Sequence, residues 1–147
     1  MMISEFMSGD HHRCDVAYAT AEKAAADGNL AGASESFTRF HAMMEHHLGM
    51  EEQVLFPEFE QRSGNSGGPT QMMRMEHEQM RALFAEMAQA IETGEMEDFL
   101  GQGETLAILM SQHNMKEENI LYPMTDQVVA NDRDAVLERM QQLESAA

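Results

Sequence analysis

The chain has 147 residues, of which 26 are acidic and nine are lysine or arginine, for a net charge of −17 at pH 7. That balance argues against binding nucleic acid or an anionic membrane through a basic surface, and no apolar run is long enough to cross a bilayer. A single cysteine, Cys14, rules out an internal disulfide and fits a reducing compartment, so one cytoplasmic domain with no leader is expected, its core built on 16 methionines and seven phenylalanines without tryptophan.

Apolar residues recur at helical spacing throughout, and no segment alternates with period two. A first helix is expected from about Gly9 to Ala26, with His11, Cys14, Tyr18, Ala21 and Ala25 on one stripe and Ser8 or Asp10 as its cap. Asp27-Gly28-Asn29 signals a turn. A second helix, about Leu30 to Gln61, turns Phe37, Phe40, Met44, His47, Glu51 and Leu55 inward, and Pro57 should kink it or end its regular part. The stretch Ser63 to Gly68 reads as flexible, and Pro69 suits the first turn of a third helix running to about Thr93, with Met73, His77, Met80, Phe84, Met87 and Ile91 inward. After Gly94 a fourth helix spans about Met96 to Val129, its stripe carrying Leu106, Met110, His113, Glu117 and Leu121. A short fifth helix, about Arg133 to Glu144, would be capped by Asn131 or Asp132 and pack Val136, Met140 and Leu143 on the rest. The expected fold is all-α, an antiparallel up-down-up-down four-helix bundle with a short C-terminal fifth helix.

The same phrase occurs twice. His47-x-x-x-Glu51-Glu52-x-x-Leu55-Phe56-Pro57 is echoed by His113-x-x-x-Glu117-Glu118-x-x-Leu121-Tyr122-Pro123. Shifting the whole chain by the same 66 positions sets His11 on His77, each after an acid (Asp10, Glu76), and Gly28 on Gly94. The repeating unit is therefore a helical hairpin, at about 9–62 and 69–129, that offers one His from its first helix and His-x-x-x-Glu from its second. Only His11, not the adjacent His12, has a histidine counterpart.

A His and a Glu four apart share one helix face, one above the other. A carboxylate placed on an apolar stripe is costly unless it is paired or bound to a metal. The inward set is His11, His47, Glu51, His77, His113 and Glu117, and imidazole with carboxylate suits iron, manganese or zinc. Because carboxylates bridge, the expected count is two metals with Glu51 and Glu117 as bridges. Six protein groups leave positions open on two six-coordinate ions for water, an oxo or hydroxo group, or a diatomic ligand. A purely structural bundle is the competing reading, but it does not explain ionisable residues kept in the apolar stripe.

These motifs, from Asp10-His11 through Glu76-His77 to His113-x-x-x-Glu117, resemble the hemerythrin-like HHE cation-binding domains over about Asp10 to Val129. The resemblance implies a non-haem di-iron centre, oxo- or hydroxo-bridged and bridged by carboxylates, that binds or reacts with dioxygen, peroxide or nitric oxide. The alternative is a non-catalytic module for iron binding and storage or for redox sensing. Two departures stand out. Oxygen carriers of the family have a second histidine one turn before the first on the third helix, where this chain has Met73. Their last helix spaces its acid five after the His, which here would be Glu118; the internal repeat favours Glu117. With one imidazole fewer, the centre suits reaction with oxygen or peroxide species, in the manner of a di-iron catalase, better than reversible oxygen storage.

Other residues have plainer readings. Met73 would form an apolar wall near the metal, and the remaining methionines a pliable core rather than a copper(I) site. Tyr18 shares the His11 stripe, so ligation or a hydrogen bond is open to it, although its repeat partner Phe84 points to packing. Glu52 and Glu118 lie one step off the metal face and suit outer support or surface pairing. His12, His41 and His46 should be exposed.

Overall fold

A computed structural model describes residues 1–143. Every element among them is helical: α1 (Ile3–Ala26), α2 (Leu30–Met50), a π turn (Glu51–Leu55), α3 (Phe56–Ser63), α4 (Pro69–Glu92), α5 (Met96–Lys116), a second π turn (Glu117–Leu121), α6 (Tyr122–Val128) and α7 (Arg133–Gln142). None of these helices is long and apolar enough to cross a membrane. The expected C-terminal end of the fifth helix, at Glu144, lies outside the described residues.

Two tight turns make two hairpins. α1 ends at Ala26 and α4 at Glu92, and in each the turn passes through a glycine with positive φ, Gly28 at 74° and Gly94 at 75°. That backbone conformation is strained for any residue with a Cβ. Asn29 then caps α2, its side chain accepting from the Gly32 amide at 3.0 Å. Tight turns bring α1 mainly against α2 and α4 mainly against α5, and the hairpins join through α1 with α5 and α6 and through α2 with α4.

The first helix starts a turn and a half earlier than the sequence suggests. Its leading amides have no intrahelical acceptors, and they are met from the far end of the chain: Ile3 N–H and Ser4 N–H donate to the Asp126 carboxylate at 2.7 and 3.1 Å, and the Ser4 hydroxyl donates to it at 2.7 Å. Neither Ser8 nor Asp10 is a cap, since both lie inside the helix. Asp132 occupies the cap position of α7, but its carboxylate binds the Arg62 guanidinium, two bonds of 2.6 Å, instead of a helix amide.

The regular part of α2 ends ahead of Pro57, as expected; Pro57 and Pro123 each sit at the start of a helix just after a π turn. A proline inside a helix lacks an N–H and pushes on the carbonyl four residues back. A turn closed by i→i+5 bonding, here Phe56 N–H to the Glu51 carbonyl and Tyr122 N–H to the Glu117 carbonyl, opens the ladder where that conflict would fall.

The buried apolar residues form two layers. One contains Cys14, Phe40, Met44, Met80, Phe84 and Met110. The other contains Met7, Met50, Leu55, Phe56, Met73, Leu121 and Tyr122, closed by Val136 and Met140 of α7. On each long helix the inward histidine falls between a residue of the first layer and one of the second: Met7, His11, Cys14; Met44, His47, Met50; Met73, His77, Met80; Met110, His113, Leu121. A polar stratum is thus sealed between two apolar ones, and unbranched thioether side chains fill much of its floor and ceiling.

Candidate metal centre

The buried polar residues include His11, His47, Glu51, His77, His113 and Glu117, none more than 5 % exposed. The structure brings all six together, in two groups whose donor atoms lie within 4.8 Å of one another: Glu51, His77, His113 and Glu117, and His11, His47 and Glu117. Glu117 belongs to both. His12 is exposed, as expected, whereas His41 and His46 are half-buried rather than exposed.

Each inward imidazole is held from outside by a carboxylate. The Nδ1–H of His11 donates to Glu118 at 2.6 Å, that of His47 to Asp10 at 2.7 Å, that of His77 to Glu52 at 2.7 Å and that of His113 to Glu76 at 2.8 Å. A carboxylate only accepts, so the proton resides on Nδ1 and every Nε2 faces the interior. Three of these acids are also neutralised: Asp10 by Arg13 at 2.6 Å, Glu76 by Lys116, and Glu52 by two bonds from Arg81 at 2.7 and 3.0 Å. Burial works against their ionisation, but these hydrogen bonds and charges outweigh it, lowering Asp10 and Glu76 and bringing Glu52 down to about 2.

Inside, the Nε2 atoms meet the two glutamates. His11 Nε2 lies 3.1 Å from Glu117 Oε1, His77 Nε2 3.0 Å from Glu51 Oε1, and His47 Nε2 3.8 Å from Glu51 Oε1. His113 Nε2 and Glu117 Oε2 face each other at 3.1 Å, yet both are buried without hydrogen-bond geometry to any partner. Such orphaned atoms are uncommon in a folded interior, and a cation between them would satisfy both. Burial disfavours the imidazolium, but Glu117 and Glu51 overcome it and raise His11 and His77 to about 9. Burial and the charge of Glu117 raise Glu51. Burial opposes ionised Glu117 too, but its neighbours Glu51, His11 and His113 hold it low.

The phenol of Tyr122 is in the middle of this set, a place the sequence pattern did not assign it. Its hydroxyl donates to Glu51 Oε2 at 2.7 Å and Glu117 Oε1 at 2.9 Å, and lies 3.2 Å from His11 Nε2. Tyr18, the other phenol, is absent from the site. It packs on Phe40 with ring centroids 5.3 Å apart, its hydroxyl unpartnered beside Gly103. Met73 is buried in the apolar layer adjoining the site, and Glu118 contacts His11 from outside rather than joining the inner donors.

The donor set fits a cation of the imidazole-and-carboxylate class. Six carboxylates (Asp10, Glu51, Glu52, Glu76, Glu117 and Glu118) surround the four rings, against the three cationic side chains Arg13, Arg81 and Lys116. With the rings neutral, as metal ligation requires, that surplus of negative charge favours a cation. No curated protein and no solved structure matches the chain. The family profile described as the hemerythrin HHE cation-binding domain matches residues 2–125, a span that contains every one of these groups, and the chain belongs to that family.

Proposed function

We propose that the chain binds two iron ions between the four Nε2 atoms and the carboxylates of Glu51 and Glu117, in an antiparallel up-down-up-down four-helix bundle, and that the pair reacts with peroxide or with dioxygen or nitric oxide. The observation that carries this reading is the four-fold pattern of Nδ1–carboxylate bonds, which fixes four imidazoles in one tautomer with their second nitrogens converging. A structural core needs no such preparation of acceptor nitrogens.

Bound iron would supply redox chemistry and exchangeable coordination positions. The protein's own contributions are separate. His11, His47, His77 and His113 donate neutral nitrogens, and their outer carboxylates raise the basicity of those nitrogens. Glu117, common to both donor groups, and Glu51 offset the cationic charge and can each span two ions. Met7, Met73 and the α7 residues Val136 and Met140 close the apolar layer that keeps bulk water from the centre. Only small ligands fit such a setting, which agrees with a diatomic or peroxide partner.

Metal analysis of the purified chain should give two irons, with near-ultraviolet absorption that changes when peroxide is added. Oxygen evolution would mark an enzyme, and a spectral change without turnover a sensor or store. Protein that takes up no iron, or only zinc, would sink the proposal.

A further inference from the structure

The 66-residue offset exchanges the two halves of the centre, and nearly every group has its equivalent. Two of the pairs that break the symmetry bear on the rings His11 and His77. The first is Phe56 and Tyr122. Phe56 stacks on His77 with centroids 5.5 Å apart and ring planes at 29°; Tyr122 stacks on His11 at 5.6 Å and 29°. The rings are placed alike and differ by one oxygen. That oxygen is among the nitrogens of one half only, 3.2 Å from His11 Nε2 and 3.5 Å from His47 Nε2. The second pair is Arg81 and Asp15. Arg81 neutralises the acid that holds His77, whereas its counterpart Asp15 adds a carboxylate to the same surface groove as Glu118, which holds His11.

We propose that the two ions are inequivalent, and that the Tyr122 oxygen is a ligand of the ion held by His11 and His47 alone. The inference rests on the two-ion reading above. On coordination the phenol O–H bond breaks, its proton leaves to solvent, and an oxygen–metal bond replaces the hydrogen bonds to Glu51 and Glu117. The ion held by His77 and His113 faces the hydrocarbon ring of Phe56 and has one protein ligand fewer. A phenolate ligand, and the Asp15 charge in place of a guanidinium, both favour the ferric state at the His11 side.

The test uses the full chain, loaded with iron in air. Wild-type protein with two irons should show a visible phenolate-to-iron(III) charge-transfer band, with tyrosinate ring modes enhanced in resonance Raman spectra. Tyr122→Phe, a side chain the fold already accepts at Phe56, should lose the band and keep its iron. Should that variant shed iron as well, Phe56→Tyr decides: a stronger band supports the proposal and an unchanged one overturns it. Two irons with no phenolate band in the wild type also overturn it, as does a band that survives Tyr122→Phe, since Tyr18 is the only other phenol. A wild type without iron overturns the underlying two-ion reading, and the metal count taken first separates that failure from the others.

Discussion

Glu118 reaches across from the second π turn to hold His11 at Nδ1, 2.6 Å away, leaving the other nitrogen of that ring to Glu117. Adjacent acids thus serve opposite sides of one imidazole. Glu117→Ala removes an inner oxygen shared by both donor groups and should abolish stoichiometric metal loading. Glu118→Gln keeps a hydrogen-bond acceptor and should weaken metal affinity by about 10- to 100-fold at most. Competition titrations on both variants check the order; the reverse order would place the acid five residues after the His among the ligands.

Asp10 and Glu76 are 66 positions apart and hold His47 and His113 at nearly equal distances. Asp10→Asn and Glu76→Gln should therefore cost similar metal affinity, each on the order of 10- to 100-fold. Effects that differ by far more than the spread between replicate titrations would show that the halves do not share the load.

Metal affinity should rise with pH between about 7 and 9. His11 and His77 are raised from 6.5 to about 9 in the metal-free chain, so both carry a proton at neutral pH that a metal must displace. Each displaced proton makes binding about tenfold tighter per pH unit until the ring is neutral. The metal-free fold responds the other way. A raised folded-state pKa stabilises below about 6.5, and that contribution is lost as pH climbs through 9. Thermal melts of metal-free and loaded protein at pH 6.5, 8 and 9.5 should diverge.

A methyl group at Gly103 would collide with the Tyr18 hydroxyl. Alanine gains about 1 kcal/mol of helix propensity over glycine, while overpacking costs roughly 1–3 kcal/mol. Gly103→Ala should therefore lower Tm, and adding Tyr18→Phe should restore part of the loss. A rise in Tm for the single variant would mean that Tyr18 swings aside freely.

Asp126 caps a helix that begins 123 positions earlier. Its replacement by alanine leaves the Ile3 and Ser4 amides unmet and should cost about 1–2 kcal/mol. Hydrogen exchange at those two amides should quicken well ahead of exchange at His11, which lies two turns farther in.

The inward stripes of the long helices were readable from period alone: Phe37, Phe40, Met44 and His47 on α2, and Met73, His77, Met80 and Phe84 on α4, are all buried. So were the burial of His11 and the exposure of His12. Tyr122 was not readable, and the reason is geometric. In an α-helix a residue five places on lies about 140° round from its start, so a helical wheel sets Tyr122 away from Glu117. The π turn between them takes up roughly one residue's rotation, about 100°, and returns the phenol to the same face. The cue was present in Pro123, which calls for relief of the ladder just ahead of it. The Asp126 cap was hidden for another reason, since it joins the two ends of the chain and no local pattern reports such a contact.

The loop 64–68 is the one covalent link between the two hairpins, and each hairpin carries two imidazoles and one inner glutamate. A separate hairpin therefore holds half a valence set, and two copies related by a two-fold axis would present the whole of it. Seen this way, the loop is a tether. It sets the effective concentration of one half for the other, on the order of millimolar for a short flexible linker. It also frees the halves to diverge, which two identical protomers cannot do, so that a phenol can stand on one side and a plain ring on the other.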